Sequence, residues 1–230
     1  MKQREVGIVM TSDVVSVRPA TPFKDIAGLL GKHRVSGVPV VDDDEKVIGV
    51  ISATDLMFRQ AEQAWNVPAR RMFLNRAAYR KAAKARARTA GELMSAPAVT
   101  VQAYESVVGA ARTMLEHGVE RLPVLDEESR LVGIVTRRDL LRVFLRPDDE
   151  IRAEVIDEVF VKTFWAPSDA VGVTVSGGVV TLEGRLERAD QVPVAGWMTG
   201  RIDGVVGVVN RLTSRFDDSL AEAKRPEGAR

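Results

Sequence analysis

The sequence predicts an α+β protein: two β-α-β-β-α repeats followed by a small α-β-β-α-β unit. Three observations carry this. The stretch GVISATDL at 49–56 returns as GIVTRRDL at 133–140. Displacing the chain against itself by the same 84 positions pairs the residues from Val9 with those from Leu93 without a gap, an internal duplication. Near the C-terminus, VGVTVSGGVVTLEGRL alternates apolar residues on both sides of a double glycine, as a β-hairpin does.

Identical pairs in the duplication include Met10/Met94, Val15/Val99, Val17/Val101, His33/His117, Pro39/Pro123, Asp42/Asp126, Gly49/Gly133 and Asp55/Asp139. Each copy opens with a polar segment and a short β-rich run, VVSV or VTV. A helical apolar period follows, Phe23, Ile26, Ala27 and Leu30 in one copy and Val107, Ala110, Ala111 and Met114 in the other. Two short strands then flank a polar turn, DDDEK or DEESR, and a second helix opens at Thr54 or Arg138. After Pro147, the spacing of Ile151, Val155 and Val159 predicts a helix with one apolar stripe. The hairpin follows, with its turn at Gly177-Gly178, then a helix over roughly 189–201. A last strand places Val206, Val208, Asn210 and Leu212 on one face.

Composition narrows the function. A net charge of +1, from 33 basic and 32 acidic residues, gives no whole-molecule field for nucleic acid or membranes. The absence of cysteine excludes disulfides and thiolate chemistry, and two histidines at helix ends lack metal-ligand spacing. There is no apolar run of membrane-spanning length and no signal-peptide core, so the expected location is the cytoplasm. No nucleophile, P-loop or dinucleotide motif occurs, and the chain reads as a non-enzyme without a tightly bound cofactor. The connector between the copies has nine basic residues and one acidic residue from Arg59 to Arg88, interleaved with Trp65, Phe73 and Tyr79. Nucleic acid or lipid could meet such a helix, but a solvated helix packed through its aromatics is the favoured reading.

The openings VMT and LMS, the strands GVPVV and RLPVLD, and the twice-written G-h-h-[ST]-x-x-D resemble a tandem pair of CBS domains. VTVSGGVVTLEGRL and IDGVVGVVNRL resemble a BON domain. The expected organisation is repeat one at 1–60, connector at 61–89, repeat two at 90–146, BON domain at 147–216 and a disordered tail at 217–230. The resemblance implies repeats packed about a pseudo-twofold axis, two clefts of which one or both take adenosine nucleotides or related adenosyl ligands, and a homodimer through the CBS helices. It also implies that Thr11, Val14, Val15, Ala98 and Val99 border the base and that Val38 and Leu122 make backbone contacts.

The repeated corner has its own chemistry. A hydroxyl ending a strand and a carboxylate in the next helical turn suit phosphate and ribose, which makes Ser52 with Asp55, and Thr136 with Asp139, candidate ligand residues. Arg137 and Arg138 flank the second corner, whereas Ala53 and Thr54 flank the first, so a polyphosphate is expected at the second. The same pattern is also a capping box, in which these side chains satisfy helix-end N–H groups. The sequence leaves both open. The functional expectation is a regulatory protein whose BON domain responds to an adenosine nucleotide. The alternative is a ligand-free dimeric scaffold, its BON domain meeting phospholipid or an unknown protein partner, with Trp165 and Trp197 exposed in the lipid case.

Overall fold

The computed structural model describes residues 4–62, 82–167 and 170–216. Trp65, Phe73 and Tyr79 of the connector, and the tail from Asp217, lie outside the described residues. The chain divides into two compact units, one spanning Glu5–Leu140 and the other comprising residues 1–4 and 141–230.

The first repeat comprises α1 (Val6–Val9), α2 (Phe23–His33), β1 (Gly37–Val41), β2 (Val47–Ser52) and α3 (Ala53–Glu62). The second comprises α4 (Ala90–Leu93), β3 (Val101–Gln102), α5 (Val107–His117), β4 (Arg121–Leu125), β5 (Leu131–Thr136) and α6 (Arg137–Leu141). The opening strand is reduced in repeat one to a parallel bridge from Val17 to Val40, while β3 pairs with β4 at Val101 and Val124. The two hairpins share one register: Gly37 faces Ser52 and Arg121 faces Thr136, and both slip at the last pair before the turn. The duplicated aspartates explain the turns. Asp42 accepts the Lys46 N–H at 2.9 Å and Asp126 the Arg130 N–H at 2.8 Å, so each side chain closes its own loop.

Helix periodicity is met with one change. Ile26 and Leu30, and Val107, Ala110 and Met114, are buried. Ala27 is exposed and Ala111 is only partly covered. Both helices end in left-handed residues, Arg34 at φ 52° and Gly118 at φ 63°.

The repeats exchange their openings. Val6 of α1 is buried in the core of repeat two, and Ala90 and Leu93 of α4 in the core of repeat one. Thr11 and Ile134 trade backbone hydrogen bonds at 2.9 Å, and Val50 and Ser95 do so at 3.1 and 2.9 Å. Met10 lies on Gly133 and Met94 on Gly49, where a Cβ would come within 2.5 Å of the Met94 sulfur. The duplicated Met and Gly are thus two halves of one contact made twice, across the pseudo-twofold relation of the repeats.

The second unit is the α-β-β-α-β domain. Helix α7 (Asp148–Glu154) continues as a π-helical stretch, Val155–Val161, before β6 (Val171–Ser176), β7 (Val179–Arg188), α8 (Gln191–Thr199) and β8 (Gly207–Phe216). The expected stripe of Ile151, Val155 and Val159 is buried, and the wider π turn also brings Phe160 into the core. Gly177 and Gly178 have φ of 56° and 76°, as a two-residue primed turn needs. Their N–H groups donate to the Asp148 carboxylate at 2.7 and 2.9 Å. Strand β8 runs parallel to β7. Val208 and Leu212 pack toward the core, and the Asn210 amide donates to Val192 O at 2.8 Å. Val206 departs from the expected face: it precedes β8, its N–H bonds to Gly178 O, and its side chain is exposed.

Candidate functional site

Both corners form as read. The Asp55 Oδ2 accepts from the Ser52 N–H and hydroxyl, each at 2.7 Å. The Asp139 Oδ2 accepts from the Thr136 N–H at 2.9 Å and hydroxyl at 2.6 Å, and the Asp139 N–H points back to Thr136 Oγ1 at 3.4 Å. This is the capping arrangement, and it engages one oxygen of each carboxylate. It also engages each hydroxyl proton, so Ser52 and Thr136 hold the aspartates rather than offering a proton to a phosphate. Capping and ligand binding are therefore compatible, and the question moves to the other oxygen, Oδ1.

There the corners differ. The Lys84 ammonium, from a helical segment at 82–86, meets Asp55 Oδ1 at 2.5 Å and Ser95 Oγ at 2.7 Å. Among the described residues, no cation pairs with Asp139 Oδ1. Asp55 is buried, whereas Asp139 is half-buried.

Each corner opens into a cleft completed by the other repeat. The second cleft, about 490 Å³, joins Thr136, Arg137, Arg138 and Asp139 to Thr11, Val14 and Val15 of the first repeat's opening. The first cleft, about 330 Å³, joins Ser52 and Asp55 to Ala98 and Val99 of the second repeat's opening. Their charges are unequal. Four arginines, Arg34, Arg121, Arg137 and Arg138, border the second cleft against three carboxylates, and Arg121 alone borders the first against two. The difference makes the second cleft the more favourable of the two for an anion. Helix α6 has only five residues, so the arginines, not its dipole, supply the attraction.

Arg121 borders both clefts. Its guanidinium donates to Ser36 Oγ at 2.9 Å and lies over Gly37, its counterpart in the duplication. Burial pushes its pKa down, and Glu120 and Asp55 oppose that push. Arg137 pairs loosely with Glu120 at 3.6 Å, while Arg138 is exposed without a partner among the described residues.

Val38 and Leu122 do not border the clefts as expected. Both are fully buried in the repeat cores, and the preceding residues, Gly37 and Arg121, take the cleft positions. Strand alternation explains the shift by one. The residues that sequence reasoning missed are Arg34, Arg121, Glu120 and Lys84. Arg121 had a signal, since it faces a glycine at the matching position, but a comparison by identity passes over unequal pairs. His33 and His117 end their helices, and the described residues contain no cluster of three metal-binding side chains.

Two repeats that trade opening segments and enclose a pair of clefts, with a separate three-stranded domain after them, define a tandem-repeat module with an appended domain. The chain belongs to the CBS domain family, whose sequence pattern matches residues 4–62 and 90–146, and the BON domain pattern matches 148–215. It is 30% identical over 158 residues to the chloroplastic CBS domain-containing protein CBSX1 of Arabidopsis thaliana, covering 61% of this chain and 64% of that protein. The chain thus spans less than two thirds of that relative's length. The crystal structure of CBSX2 in complex with AMP superposes with a TM-score of 0.53 at 31% identity, over 61% of this chain and 96% of that one. Inosine-5'-monophosphate dehydrogenase of Mycobacterium tuberculosis is 29% identical over 147 residues, 64% of this chain but 23% of the enzyme. Among the described residues, no helix is long and apolar enough to cross a membrane.

Proposed function

We propose that this chain is a non-enzymatic regulatory protein that binds an adenosine nucleotide in the second cleft and passes the signal to its BON domain. The observation that carries the reading is the open Asp139 corner, with one carboxylate oxygen unengaged beside a group of arginines. In this reading Asp139 accepts from the ribose hydroxyls, Thr11, Val14 and Val15 border the base, and Arg34, Arg137 and Arg138 face the phosphates. The AMP complex of CBSX2 supports an adenosine ligand. A cytoplasmic location accompanies this role. Assembly is a homodimer through helical surface, where Met57, Val108 and Leu115 are exposed.

Calorimetric titration with AMP, ADP, ATP and S-adenosylmethionine tests the proposal. Binding by the intact chain should weaken at least about tenfold in Asp139→Ala, the loss of a charge-assisted hydrogen bond. Heat that is unchanged in Asp139→Ala sinks it.

Arg34 supplies a second measurement. A non-glycine residue in the left-handed region costs about 1 kcal/mol, and the matching position in repeat two is Gly118. Arg34→Gly should therefore raise the melting temperature by a few degrees while weakening ATP binding several-fold. A gain in both stability and affinity would remove Arg34 from the site.

A surface observation favours a second reading, in which the BON domain docks on phospholipid. Trp197 is 62% exposed with the Arg201 guanidinium 4.7 Å from its ring centroid, and Trp165 is 89% exposed. Sedimentation with anionic vesicles, lost in Trp197→Ala, separates this output from a protein partner.

A further inference from the structure

We infer that Lys84, by holding the ribose-facing carboxylate oxygen of Asp55, keeps the first cleft closed to the ligand of the second. The inference rests on the proposed role of the Asp139 corner. The two corners are equal in their Oδ2 contacts and differ at Oδ1, where the Lys84 ammonium stands. Its second partner, Ser95, also borders the first cleft, so the ammonium ties together two residues of the cleft lining.

The lysine is held firmly. Arg59 of α3 donates to the carbonyls of Ala85 at 3.2 Å and Ala87 at 2.6 Å, and lies 4.4 Å from the Phe23 ring centroid. Ala85 and Ala87 are buried. The backbone that carries Lys84 is therefore anchored to repeat one by the residues that directly follow it. A part-buried ammonium with two partners is costly to displace, because moving it leaves Asp55 buried with one oxygen unpaired. A ribose hydroxyl is neutral and cannot replace that charge pairing. The first cleft, about 330 Å³, is the smaller one, yet it keeps the room and the Ala98 and Val99 wall that a nucleoside needs. What excludes the ligand is the lysine rather than the shape. Ligand entry at Asp55 therefore requires the segment at 82–87 to release the carboxylate, which ties this cleft to that segment and leaves the second cleft free of it.

The test is AMP titration of the full chain, read as sites per chain and assigned by aspartate substitution. The intact protein should bind one AMP, lost in Asp139→Ala and kept in Asp55→Ala. Lys84→Met should bind two, the new site disappearing in Lys84→Met/Asp55→Ala, and Lys84→Arg should stay at one. Lys84→Gln, which retains a donor to Asp55, serves if the methionine variant does not fold, and should also gain the Asp55-dependent site. Failure of any Asp55-dependent site to appear in folded Lys84→Met or Lys84→Gln overturns the inference even if the Asp139 site is present. AMP binding lost in Lys84→Met would overturn it too, making the lysine a ligand contact. An Asp55-dependent site that appears without any Asp139-dependent one would leave the lysine's role standing and remove the proposed function.

Discussion

Gly37→Val is expected to destabilise the repeat pair by about 3 kcal/mol and to abolish nucleotide binding at the second cleft. A Cβ at Gly37 would lie 2.6 Å from the Ile51 carbonyl oxygen, a backbone atom that cannot swing aside, and would run into the Arg121 guanidinium. Overpacking of this kind ordinarily costs about 1–3 kcal/mol, and the β-branched methyls enlarge it. The guanidinium must leave Ser36, and both Gly37 and Arg121 border the second cleft, which couples the stability loss to the binding site. Denaturant unfolding with parallel AMP titration checks this. Arg121→Gly in the same background should recover only part of the loss, because the clash with Ile51 remains. Full recovery would mean that the backbone yields and the side chain was the whole obstacle.

The second large effect lies in the other unit. Phe160→Ala should cost about 3–5 kcal/mol, the usual range for emptying a buried phenylalanine site. Phe160 is 1% exposed, at the centre of a core that includes Ile151, Val155, Leu182 and Leu212, with Phe164 at 6.3 Å between ring centroids. A domain of this size draws only about 3–5 kcal/mol from its core. The substitution is therefore large enough to unfold it outright. Calorimetric melting should lose the transition of the BON domain while AMP binding to the repeat pair persists. Loss of both together would show that the units fold as one cooperative block.

Much of this architecture was legible because duplication doubles every signal. A gapless match at one offset fixed the hairpins, the turns closed by Asp42 and Asp126, and the two corners. The double glycine fixed the third hairpin because only residues tolerating positive φ fit there. What the sequence did not disclose is pairing across the chain. Nothing local to Thr11 or Ala98 tells that each opening serves the other repeat's corner, since that is a long-range packing choice. The resemblance implied backbone contacts from Val38 and Leu122, whereas the residues before them, Gly37 and Arg121, border the second cleft. Lys84 read as one basic residue among nine, because charge counting is blind to the single ammonium that meets a carboxylate. The capping and ligand readings of Ser52, Asp55, Thr136 and Asp139 competed only while each carboxylate was treated as one acceptor; the cap engages one oxygen of each.

The exchange of Met10 onto Gly133 and Met94 onto Gly49 bears on where such a chain comes from. A lone repeat of this sequence would expose both a glycine groove and the methionine that fills it, and could satisfy them only with a second molecule of itself. Two such molecules would meet symmetrically, each lending its first residues to the other. Gene duplication turns that concentration-dependent meeting into a permanent one within a single polypeptide. Once the halves are covalently joined, they are free to diverge, and a glycine at 37 can become the seat for an arginine at 121.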